Sequence, residues 1–126
     1  WMTLSRWANT TFYRCGFRSA VGTGDSFENS TLNNTDLGMV SFRSANFRSA
    51  NLSECIAANS DYSYGDFGNA LLMKTNFTES LFIDSNLTGT DFYQSDVLLA
   101  DLAQANTDEA KNIIPTKLER LDRERR

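Results

Sequence analysis

Three regularities of this chain imply an all-β solenoid of about five square coils. A large apolar residue recurs at every fifth position from Met2 to Leu102, without an insertion that breaks the register. A small residue recurs two positions before it, and Asp or Asn is favoured in between.

The register holds almost everywhere. Of the 22 positions from Met2 to Thr107, 19 are large and apolar, the exceptions being Gly22, Ala57 and Thr107. Of the 21 positions from Ser5 to Ala105, 19 are Ala, Ser, Thr, Cys or Gly; Asp25 and Val40 depart. A five-residue step suits neither regular element. On a helix it turns the side chain by about 140°, and on a straight strand it sends successive residues to opposite faces. One large residue in five stays inward only if the chain turns a corner once per unit. Four units then close one coil, with the large side chain filling the middle and the small one beside the wall. Coils stacked through strand-like hydrogen bonds at ~4.8 Å make a rod roughly 25 Å long.

Within residues 1–107, two stretches strain the pattern. Residues 20–26 put Gly22 at a central position and Asp25 at a small one, so one side of the second coil is expected to loosen or loop out. Residues 55–59 have only Ala57 at the centre, so either Ile56 helps to fill the gap or a void remains. After Asn106 the phrase decays. Thr107 reads as an N-cap, with Asp108 and Glu109 in a first helical turn, and Ile114, Leu118 and Leu121 follow at amphipathic spacing around Pro115. Residues 108–126 are therefore expected to form a short C-terminal α-helical cap over the open end of the rod. At the other end Met2 and Trp7 are already in register. Trp1 and Leu4 fold over that end, or capping residues precede them, or the end pairs with another molecule.

The units "SANFR", "SANLS", "GDFGN", "TNFTE", "SNLTG", "TDFYQ" and "ADLAQ" resemble the pentapeptide-repeat family, whose consensus is A(D/N)LXX. The resemblance covers residues 2–107 and implies a right-handed quadrilateral β-helix. It names no single function. Family members occur in bacterial cytosol, in photosynthetic lumens and as secreted effectors; the bacterial cytoplasm is the favoured expectation here, with a lumenal or secreted site as the alternatives.

Catalysis finds little footing. The chain has no His, which removes the commonest general base and metal ligand. Cys15 and Cys55 occupy small inward positions two coils apart, roughly 10 Å, beyond the ~7 Å Cα limit for a disulfide. The Asn-x-Ser/Thr triplets, as at Asn76 and Asn86, are by-products of the repeat. No enzyme activity, cofactor or metal is expected. No apolar run reaches the ~18 residues of a membrane span, so membrane insertion is not expected either.

Charge divides the chain. Residues 1–50 sum to +2, residues 51–107 to −7 and the tail to +1. Asp61, Asp66, Asp84, Asp91, Asp96 and Asp101 make a candidate acidic surface, spread over four faces. The family resemblance offers one use for it, because the quinolone-resistance members mimic DNA and bind type II topoisomerases. Solubility is the simpler use. Arg18, Arg43 and Arg48 fall on three faces and form no basic track, so direct nucleic-acid binding is not expected.

The fold does not require outward apolar residues. Leu71, Met73 and Tyr93 share one face, Leu98 and Leu99 lie on the next, and Leu81 and Ile83 on the one after. Together they form a candidate partner surface, for another protein or a second copy. The sequence thus predicts a rigid binding or scaffold module, with topoisomerase-directed DNA mimicry as the alternative.

Overall fold

The computed structural model describes residues 5–113. Within each unit we number positions 1 to 5, so that Arg6, Trp7, Ala8, Asn9 and Thr10 open the series. Side one holds 6–10, 26–30, 46–50, 66–70 and 86–90; sides two, three and four begin at 11, 16 and 21 and recur in the same way.

Every position-1 residue from Arg6 to Asp91 forms a parallel bridge to the same position one coil on, Arg6 to Ser26 and Asp91 to Lys111. Each bridge carries two hydrogen bonds; Ser26 N–H donates to Ser5 C=O at 2.9 Å and Trp7 N–H to Ser26 C=O at 2.7 Å. A third bond joins the corners, as where Asn9 N–H donates to Glu28 C=O at 2.8 Å. The described residues therefore make just over five coils stacked in register, with no regular strand longer than a bridge among them.

The corner explains the unit. Position 4 is left-handed throughout, from Asn9 (φ 58°) to Glu109 (φ 58°). At most corners the position-5 N–H returns to the position-2 carbonyl, as Ala50 does to Phe47 at 3.0 Å, giving a type II turn. The Asp or Asn at position 1 also has a local task. Its Oδ1 accepts the N–H two residues on, as Asp61 does from Ser63 at 3.0 Å and Asn46 from Arg48 at 2.9 Å.

Position 2 fills the interior. Phe27, Phe47 and Phe67 stack down side one, with ring centroids 5.0 and 4.8 Å apart and planes within 9° of parallel. Hydroxyls at position 5 tie coils together. Ser60 Oγ accepts the Val40 N–H at 3.1 Å and donates to Leu37 C=O at 2.7 Å; Thr75 and Ser80 repeat the arrangement. Ser and Thr here serve as hydrogen-bonded links as well as small residues.

Three expectations need correction. Residues 20–26 do not loop out: Val21 bridges Ser41, and Asp25 N–H closes its turn on Gly22 C=O at 3.1 Å. The register survives because the Asp25 carboxyl occupies the room that Gly22 leaves. Ile56 does not fill the Ala57 gap, since position 1 points it outward, 54% exposed. Tyr62 reaches across that gap, its hydroxyl donating to Leu37 C=O at 3.2 Å.

The third concerns the C-terminal α-helical cap. No helix occurs among the described residues. Thr107 is not an N-cap; Ala110 N–H returns to Thr107 C=O at 3.0 Å in one more coil turn, and Lys111 bridges Asp91. The coil continues because Phe92 N–H and Thr90 C=O of the preceding coil offer Lys111 a ready strand edge. The expected cap from 114 to 126, and the expected fold-over of Trp1 and Leu4, lie outside the described residues.

Candidate functional site

Outward side chains sit at positions 1, 3 and 4, on a backbone lattice that fixes their spacing. On side two, Leu71 and Met73 occupy positions 1 and 3 of one coil, and Tyr93 position 3 of the next. Leu71 bridges Asp91, and Lys74 N–H donates to Tyr93 C=O at 2.8 Å, so the two coils meet directly under this patch. Leu71 is 40% exposed and Tyr93 47%, while Met73 between them is half-buried. Next along the same column, Ser53 Oγ and Asn33 Oδ1 are enclosed without a hydrogen-bond partner.

The remaining predicted apolar residues do not join that patch. Leu98 and Leu99 stand on side three, and Leu81 and Ile83 are half-buried on side four. Tyr64 lies beside Ile83, its N–H bonded to the Ile83 carbonyl at 2.8 Å, and the Arg43 guanidinium rests 4.9 Å from its ring centre. Tyr13, Met39, Ile56 and Tyr64 are all at least half exposed and were not among the sequence candidates. The rule that singled out Met73 would have found them: each is a large apolar side chain at position 1, 3 or 4.

The acids are dispersed, and most are engaged. Asp66 accepts from Arg48 at 3.1 Å, from the Gly68 N–H and from Asn86 Nδ2. Asp61 accepts from Arg43 at 2.8 Å. Burial works against the Asp61 charge, but the Ser63 N–H and hydroxyl and the Arg43 guanidinium together hold its carboxyl below the usual range. Asp91, Asp96 and Asp101 accept the N–H groups of Tyr93, Leu98 and Ala103, and Asp91 also holds Asn112. Asp84 stands exposed at a corner with φ 55°.

The arginines share a relationship that the sequence candidates did not include. Arg18, Arg43 and Arg48 each reach an acid of the following coil, Asp36, Asp61 and Asp66 respectively. Position 3 of one coil lies above position 1 of the next, and "FRS" answered by Asp at position 1 of the following coil was the available signal. Gly68 makes room for Arg48, since a Cβ there would lie 2.5 Å from its Nη1.

Both cysteines are free thiols. Among the described residues, no group of three or more His, Cys, Asp or Glu could hold a metal ion, and no helix is long and apolar enough to cross a membrane.

Comparison with known proteins concerns the fold. The family profile described as pentapeptide repeats matches residues 26–61 and 66–97, in 8 copies. Among solved structures, a pentapeptide repeat protein from the Arabidopsis thaliana thylakoid lumen is 21% identical with a TM-score of 0.50, covering 82% of this chain and 67% of that one. Rfr23 from the cyanobacterium Cyanothece 51142 is 12% identical with a TM-score of 0.41, covering 87% and 86%. HetL of Nostoc, involved in heterocyst differentiation regulation, is 10% identical at 0.35, covering 86% and 87%. No curated protein matches.

Proposed function

The chain belongs to the pentapeptide-repeat family, whose members fold as right-handed quadrilateral β-helices, and on that basis we propose that it is a rigid, non-enzymatic protein-binding module. The supporting observation is the patch of Leu71, Met73 and Tyr93. These side chains add nothing to the interior, yet adjoining coils hold them at fixed spacing on one flat side. A partner that meets a preformed lattice loses little ordering entropy at this surface.

DNA mimicry draws less support. Asp61 and Asp66 are paired with arginines, and the position-1 acids accept N–H groups from their own turns. A mimic needs free charge along a continuous track.

The double substitution Met73→Ser with Tyr93→Ser tests the reading. Sedimentation velocity reports self-association, and immobilised protein reports partners captured from a lysate. Loss of binding in either assay, with the circular dichroism unchanged, is expected. Identical sedimentation and an identical captured set for wild type and variant would overturn it.

A further inference from the structure

Among the described residues, Asp25 is the one charged side chain with no exposed surface. It occupies position 5, where other units place Ala, Ser, Thr, Cys or Gly, with Val40 the other departure. Its Oδ1 accepts the Ser5 N–H at 2.7 Å, the same tie between coils that Ser30 provides for Thr10 at 3.4 Å and Ser60 for Val40 at 3.1 Å. A hydroxyl in this position also donates to a carbonyl of the preceding coil, as Ser30 does to Trp7 at 2.6 Å. Asp25 Oδ2 has no hydrogen-bond partner among the described residues.

The surroundings explain how the carboxyl fits. A Cβ on Gly22 would lie 2.5 Å from Oδ2 and 2.6 Å from the Phe42 ring, so Asp25 and Phe42 share the space of the missing central side chain. Ser5, Gly22 and Phe42 face the carboxyl, and none of them titrates. Ala45 holds the same position one coil on, and the nearby Arg6, Glu28 and Arg43 stand at outward positions. Burial pushes the Asp25 carboxyl above its usual range, opposed by the Ser5 N–H. A carboxylate in this site would leave one charged oxygen against Phe42 without a donor.

We propose that Asp25 is a proton-gated clasp between the first two coils. In its neutral form the carboxyl stays inside and holds Ser5. When the proton leaves to solvent, the carboxylate moves outward, the tie to Ser5 breaks, and residues 5–24 loosen from the coil beneath. Because the folded form retains the proton more strongly than the open form, the clasp is complete below the ordinary carboxylate range. It is lost as pH rises through the raised value, and further increase has no effect.

Hydrogen exchange on the whole chain between pH 4 and 8, corrected for intrinsic exchange, tests this. The amides of Trp7, Phe12 and Phe17, which bond to Ser26, Thr31 and Asp36, report the first coil; those of Phe47 and Phe67 report the middle. First-coil protection is expected to fall by up to about ten-fold per pH unit within the window, while the middle stays level. Asp25→Asn keeps an oxygen for Ser5 but has no proton to lose, so its profile should be flat. A flat wild-type profile, or an equal fall in Asp25→Asn, overturns the proposal. If Asp25→Asn does not fold, Asp25→Ser restores the residue type of Ser30 and serves instead. A 13C titration of the wild-type carboxyl offers a check without any variant: a midpoint in the ordinary carboxylate range also overturns it.

Discussion

The phenol of Tyr62 donates to the carbonyl of Leu37 at 3.2 Å, reaching from side four into side three, where Ala57 stands one coil beneath Leu37. Burial pushes this phenol well above its usual range, so it remains a donor at ordinary pH. Large and small central residues thus compensate one another between neighbouring sides. Ala57→Leu, which would restore the repeat consensus, should therefore destabilise the protein by about 1–3 kcal/mol through overpacking. Combining it with Tyr62→Leu should recover much of that loss. Urea unfolding of both single variants and the double measures the coupling, and simple additivity would show that the two side chains do not share space.

Two serines at position 5 should respond unequally to removal. Ser60 Oγ both accepts from the Val40 N–H and donates to Leu37, whereas Ser85 Oγ donates only to Phe82 of its own corner. Ser60→Ala strands a buried N–H and is expected to cost about 1–3 kcal/mol; Ser85→Ala should cost about 0.5–1.5 kcal/mol. Denaturant midpoints distinguish them, and equal losses would mean that the tie between coils adds nothing.

Leu99 holds the left-handed corner position with φ 59° while exposing 44% of its surface. A branched side chain is costly in that region and gains little from packing here. Leu99→Gly should raise stability by up to about 1 kcal/mol, read as an increased midpoint in thermal or urea unfolding. A fall would mean that contacts on side three outweigh the backbone cost.

The two cysteines should differ in reactivity. Burial pushes the Cys55 thiol up to about 11, against weaker opposition from the Thr35 and Asn34 backbone, and its Sγ rests 2.9 Å from Leu32 C=O. At pH 8 it is almost wholly protonated as well as enclosed. A disulfide reagent should label Cys15 within minutes and Cys55 only after denaturant is added. Rapid labelling of both would mean that the middle coils open readily.

The period, the inward face and the four-unit stacking interval are all written in the chain. A large apolar residue at nearly every fifth position and a small residue two positions before it admit one closed solution, and the Phe47–Phe67 stack at 4.8 Å is its direct expression. The candidate apolar patch was legible for a related reason: residues at the same position of successive coils, such as Met73 and Tyr93, are neighbours by construction. What stayed illegible lay at the exceptions. Gly22 with Asp25, and Ala57 with Tyr62, read as defects along the chain, because each position was judged against its own column. Folding brings neighbouring columns together across the interior, where one side chain's missing volume is another's room. The same holds for Arg43 with Asp61 on successive coils, and for the coil that runs on to Lys111 where a helix was expected. Each is decided by what the adjacent coil presents, an acid or an open strand edge, and not by local propensity.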